Sequence, residues 1–147
     1  MTADDVKKGG MTLAQLSALL SSHNNVSAQA THASDLPLDA FRKLLRTNVA
    51  SPSDRLLVNY NRPEVGQQGG GHISPVAAYS QLTDRALVMD VARYRYPASW
   101  VAVPDLWRAA LAVDSASGLS RGVVVVRAAG GGGVVAQAPV HAVVGRR

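Results

Sequence analysis

The spacing of apolar positions changes several times along the chain, and each change marks an element. Leu13, Leu16 and Leu20 recur at helical spacing behind Thr12-Leu13-Ala14-Gln15. This tetrad has the form of a capping box, so a helix is expected from residue 13 to about Ser21–Asn24. Residues 1–11 before it read as a short lead-in. Val26, Ala28 and Ala30 then alternate with Ser27, Gln29 and Thr31, the period-two pattern of a half-buried strand. Asp35-Leu36-Pro37 opens a second helix, with the aspartate as cap and Leu38, Phe41, Leu44 and Leu45 on its buried face. A turn at Ser51–Asp54 leads into a strand from Arg55 to Tyr60. The glycine-rich stretch Gly66 to Gly71 bends into two more strands, His72 to Tyr79 and Arg85 to Asp90, around a polar turn near Gln81–Asp84. Pro104 opens a third helix, with Val103, Leu106, Trp107, Ala110 and Leu111 on one face. Gly122 to Val126 is apolar throughout and is expected to be a strand buried on both sides.

After Arg127 the periodicity stops. Four glycines, Gly130 to Gly133, are followed by an alanine- and valine-rich stretch. Residues 128–147 therefore read as a linker or poorly ordered tail, and residues 1–127 as the folded part. The pattern as a whole is α+β, with helices packed on an antiparallel sheet.

Composition narrows the function classes. The chain has 147 residues, 47% of them hydrophobic, which suffices for a core. No apolar run approaches the ~20 residues that span a bilayer. The polar start, Met1 to Lys8, does not resemble a signal peptide, so a cytoplasmic protein without a membrane partner is expected. Net charge is +5 with a pI near 10.1. The arginines are scattered, however, and do not interleave with aromatic residues as in single-strand binders, which argues against nucleic acid as a partner.

The candidate chemistry centres on His72 and Asp90, eighteen positions apart across the hairpin. If the turn has an even register, both side chains share a face of the sheet. The aspartate can then orient one imidazole nitrogen while the other acts as a general base. The plain alternative is a structural histidine in a turn and an aspartate at a strand end. The chain contains no cysteine, so disulfides and thiolate metal sites are ruled out within these residues.

Longer stretches decide more. GGGHISPVAAY at Gly69–Tyr79, LVMDVARYRYPASWV at Leu87–Val101, Leu106-Trp107 and SGLSRGVVVV at Ser117–Val126 closely resemble the catalytic domain of phytochelatin synthases. These are papain-like enzymes that transfer γ-Glu-Cys from one glutathione to another with loss of glycine. FRKLLRTN at Phe41–Asn48 and DDVKKGGMTLAQL at Asp4–Leu16 extend the resemblance upstream, so it runs in one order over about residues 5–127. It implies the sheet-rich second lobe of a papain-like cysteine-peptidase fold. His72 would be the catalytic histidine and Asp90 its orienting aspartate. Arg93, Tyr96, Asp114 and Arg121 would bind the glutathione-derived acyl group, because a peptide with an α-amino group and carboxylates suits acidic and guanidinium partners. For Arg93 and Arg121 a surface ion pair is the alternative. The resemblance implies no tightly held cofactor. A heavy-metal ion, cadmium or zinc, would act as activator mainly as its glutathione complex, and glutathione and phytochelatin peptides would be the partners.

The departures matter as much. The family's nucleophile is a cysteine upstream of the histidine, and papain-type enzymes separate the two by about 130–150 residues. Only 71 residues precede His72, too few for the front helical lobe that carries the cysteine and an oxyanion-hole glutamine. Ile73 replaces a phenylalanine and Ala77-Ala78 a glycine pair. These are mild changes, although added methyls narrow whatever lies against them. The sequence is thus expected to be part of a phytochelatin synthase, inactive alone because no acyl-enzyme forms without a thiolate. The alternatives are a glutathione-binding lobe without a nucleophile, or a lobe that complements a cysteine-bearing front lobe or second subunit.

Overall fold

A computed structural model describes residues 3–128. It contains helices α1 (Ala3–Gly9), α2 (Leu13–Ser21), α3 (Leu38–Val49) and α4 (Val103–Leu111). The strands are β1 (Val26–His32), β2 (Asp54–Asn61), β3 (Gly71–Ser80), β4 (Arg85–Val88), β5 (Ser99–Ala102), β6 (Val113–Asp114), β7 (Leu119–Ser120) and β8 (Gly122–Ala128). Six strands form one antiparallel sheet in the order β1-β8-β2-β3-β4-β5, and β6 and β7 pair separately. The mixed α+β architecture, an antiparallel sheet with packed helices, agrees with the expected class. Among the described residues, no helix is long and apolar enough to cross a membrane.

The apolar run in β8 follows from its place between β1 and β2. Val123 and Val125 face a core formed with Phe41 and Leu45 of α3 and with Val103 and Leu106 of α4. Val124 is also fully buried but points to the other face, where α2 lies against β1 and β8. Removing the Leu45 side chain to alanine would cost about 2–5 kcal/mol, the usual range for a filled core position. Gly122 admits no substitute, because a Cβ there would lie 2.1 Å from the Thr31 carbonyl oxygen of β1.

Several expectations change. The lead-in contains helix α1, whose acidic start (Asp4, Asp5) and basic end (Lys7, Lys8) suit the helix dipole. The capping box forms at Thr12: its hydroxyl accepts the Gln15 N–H at 3.2 Å, and the Gln15 side chain accepts the Thr12 N–H at 2.9 Å. Asp35 does not cap α3. It ends a short 3-10 turn, Ala33–Asp35, and Pro37 takes the cap position without a side-chain bond. The strand expected to reach Asp90 ends at Val88, and β5 pairs along it as an extra edge strand. Of the expected tail, Ala128 closes β8 and the rest lies outside the described residues.

Candidate active site

β2 and β3 pair so that Tyr60 stands across from His72, with their rings edge to face at 5.9 Å. Beyond Tyr60 the chain turns through a 3-10 segment, Arg62–Val65, which tucks the Arg62 side chain inward until the residue is 5% exposed. The Arg62 N–H donates to the Gly70 carbonyl at 3.1 Å, which ties this turn to the start of β3.

A bulge decides which face Asp90 takes. Near the turn, Ser80 pairs with Arg85 and Ala78 with Leu87, but below it Val76 pairs with Val88. Ala77 is the extra residue. Had the register of the turn continued, Asp90 would lie opposite Pro75 and point away from His72. The bulge shifts it opposite Ser74, on the face of His72, Ser74 and Val76.

Asp90 is the hub of the site. Its Oδ1 lies 2.9 Å from His72 Nε2 and also accepts the Ala92 N–H at 2.8 Å. Arg62 donates to both carboxylate oxygens, from Nη1 at 2.7 Å and Nη2 at 3.1 Å, and the Tyr60 hydroxyl donates at 3.3 Å. Burial alone would raise this carboxyl. The Arg62 hydrogen bonds, the Ala92 amide and the positive charges outweigh it and hold the pKa at about 2. Asp90 is therefore ionised at neutral pH, and His72 donates its Nε2–H to it. Nδ1 keeps its lone pair and has no hydrogen-bond partner among the described residues. Burial, and then the charge of Arg62, push the His72 pKa below its usual value against the pull of Asp90. The imidazole is thus neutral, oriented and able to accept a proton. Burial, then the Asp90 charge, push the Tyr60 hydroxyl up to about 12, so it stays protonated as a donor.

His72 borders an open pocket of about 420 Å³, walled on one side by the α1–α2 bend, Gly9 to Thr12, and on the other by Asn59, Gly71, Asp114 and Arg121. Asp114 is 8% exposed, and its carboxylate accepts from the Ala116 N–H at 3.2 Å and the Ser117 hydroxyl at 3.3 Å. Arg121 lies over Gly71, donates from Nη1 to Asn59 Oδ1 at 3.1 Å, and forms no ion pair among the described residues. Two of the four expected substrate residues, Asp114 and Arg121, therefore share the pocket with His72.

Arg93 and Tyr96 are placed elsewhere. Arg93 is exposed and lines a separate cavity of about 430 Å³ with Pro75, Met89, Asp90 and Val91. Tyr96 stands behind the dyad. Its ring lies 4.8 Å from the Arg62 guanidinium carbon, and its hydroxyl accepts the Gln68 N–H at 2.8 Å. It braces the arginine that braces Asp90. Sequence reasoning overlooked Arg62, Tyr60 and Asn59. Their run, Asn59-Tyr60-Asn61-Arg62-Pro63, gives only one signal, an arginine at a strand end before a proline, and such arginines usually face water.

The sequence profile of the family described as phytochelatin synthase matches residues 1–123. The chain belongs to the phytochelatin synthase family. It is 32% identical over 123 residues to glutathione gamma-glutamylcysteinyltransferase 3 of Lotus japonicus, covering 84% of this chain and 26% of that protein. The corresponding enzyme of Schizosaccharomyces pombe (strain 972 / ATCC 24843) is 32% identical over 122 residues, covering 83% and 29%. Glutathione gamma-glutamylcysteinyltransferase 1 of Triticum aestivum is 35% identical over 121 residues, covering 82% and 24%. By these names the phytochelatin synthase family is one of acyltransferases. The chain spans about a quarter of the length of these relatives. The part matched by the phytochelatin synthase profile contains every residue of the site, from Asn59 to Arg121.

Proposed function

We propose that this chain supplies the general-base half of a γ-glutamylcysteine dipeptidyl transpeptidase, completed by a cysteine thiolate from outside these 147 residues. The observation that carries this reading is the neutral His72, oriented through Nε2 by the buried Asp90–Arg62 pair, with Nδ1 left for a thiol. In this scheme His72 Nδ1 takes the thiol proton, and the thiolate attacks the carbonyl carbon of the Cys–Gly bond of glutathione. The bond breaks, the departing glycine amine takes the proton from His72, and a γ-Glu-Cys thioester remains. The α-amino group of a second glutathione then attacks the thioester, gives its excess proton to His72, and leaves with the γ-Glu-Cys unit. Cadmium or zinc enters as substrate, bound to glutathione sulfur. The sheet-rich lobe of a papain-like fold and a cytoplasmic site of action belong to the same reading. Heavy-metal detoxification is the role it serves.

A chimera tests it. A family segment bearing the nucleophilic cysteine, fused before this chain or co-expressed with it, should give (γ-Glu-Cys)₂-Gly from glutathione by mass spectrometry. His72→Ala or Asp90→Ala should abolish the product. A folded chimera in which His72→Ala leaves the rate unchanged would sink the proposal. The absence of cysteine from the sequence favours one second reading, a lobe that binds glutathione without catalysing its transfer. For that reading, calorimetry should detect glutathione binding to this chain while no chimera turns over.

A further inference from the structure

Asp90 sits where the sheet ladder stops. Strand β4 ends at Val88, and the Met89 N–H still reaches the Pro75 carbonyl of β3 at 2.9 Å. Bonded pairs recur every second residue in antiparallel strands, so one more step would send the Val91 N–H to the Ile73 carbonyl. That N–H meets the Ser74 hydroxyl instead, at 3.4 Å. Ser74 is 0% exposed and shares the face of His72 and Asp90. Its hydroxyl also donates toward the Tyr60 oxygen, against the upward push of burial and the Asp90 charge on that group. Tyr60 in turn donates to Asp90 Oδ2 at 3.3 Å. One buried hydroxyl thus bears on Asp90 from two sides, through the backbone that follows it and through its tyrosine partner.

We infer that Ser74 is a positioning residue: its hydroxyl replaces the missing ladder bond at Val91 and, through Tyr60, aims the Asp90 carboxylate at His72. Serine suits the position because it supplies an acceptor and a donor in a small volume. Alanine would leave both the Val91 N–H and the buried Tyr60 oxygen without this partner. A larger side chain would have no free surface to turn to. The inference deepens the proposed function and rests on its reading of His72 as the base.

The test titrates the His72 imidazole by NMR in the 147-residue chain. Burial and Arg62 lower the His72 pKa, whereas the Asp90 charge and hydrogen bond raise it. A loosened Asp90 should therefore weaken proton binding at His72. Ser74→Ala should weaken it about threefold or more, the usual worth of one hydrogen bond. Val76→Ala, two residues along the same face, removes packing but no hydroxyl and should leave the titration unchanged. An unchanged His72 in Ser74→Ala overturns the inference. So does an equal shift in Val76→Ala, which would assign the effect to packing. One measurement needs no variant to fold: the Val91 amide should exchange with solvent at least about tenfold more slowly than a free peptide amide. Free exchange there overturns the anchor. In the chimera, Ser74→Ala should lower kcat with KM for glutathione unchanged, and the reverse split overturns the inference. A chimera inactive with Ser74 intact, beside a His72 titration that shifts as expected, removes the base and leaves the positioning of the ring standing.

Discussion

Two aspartates in this chain are held by the same kinds of side chain, and the contrast shows what separates a site from a surface. Asp84 accepts from Arg42 Nη2 at 2.8 Å and Nε at 3.1 Å, and from the Tyr79 hydroxyl at 3.1 Å. Asp90 accepts from Arg62 at 2.7 and 3.1 Å and from the Tyr60 hydroxyl at 3.3 Å. The side chains of the first ion pair are 32% and 34% exposed, those of the second 6% and 2%. Water screens Arg42–Asp84 and competes for its bonds, so the pair contributes little. Arg62–Asp90 has left water, and each charge depends on the other. Asp90 also has a third side-chain partner, His72. Local geometry does not distinguish the two clusters; burial does, and so does a histidine whose second nitrogen has no hydrogen-bond partner among the described residues.

The largest expected effect comes from breaking the buried pair. Arg62→Leu leaves the Asp90 charge uncompensated in the interior and should cost about 3–5 kcal/mol in chemical denaturation. A loss similar to that of Arg42→Leu would mean that water reaches Asp90 after all. The same variant should raise the His72 pKa, since the Arg62 charge helps depress it. An NMR titration of the imidazole resonances reads this directly, and an unchanged or lower pKa would contradict the assigned cause.

Acid should separate the two clusters next. The folded pKa of Asp90, about 2, lies below the unfolded value of about 3.9. Its stabilisation is therefore complete above the unfolded value and is lost as pH falls through about 4 toward 2. His72 is also depressed, so its unfolded form takes up a proton first, and stability begins to fall as pH drops below about 6.5. His72→Gln should flatten the upper part of a stability–pH curve measured by urea unfolding and leave the lower part. An unchanged upper slope would assign that part to other groups. The smallest effect is expected for Arg42→Ala, which should scarcely move the unfolding midpoint because solvent replaces its contacts. A large shift there would show that the exposed cluster also holds the fold.

Features that depend on neighbours in the chain were legible from the sequence. The capping box at Thr12, the buried face of α3 through Phe41 and Leu45, and the doubly buried β8 all appear as spacing or as an unbroken apolar run. The pairing of His72 with Asp90 was legible only as a condition on register. The turn alone gives the wrong parity, and Ala77 corrects it because a bulge inserts one residue into one strand. Arg62 reaches Asp90 from 28 positions away, and Arg121 reaches Asn59 from 62. Nothing local marks Arg62 as buried or Arg121 as turned toward Asn59. Sequence by itself therefore determined the longer elements and the family, since periodicity and motif order are carried by adjacent residues. Only the tertiary structure decided which charges leave water together, because desolvation and pairing belong to side chains that meet solely when the sheet closes.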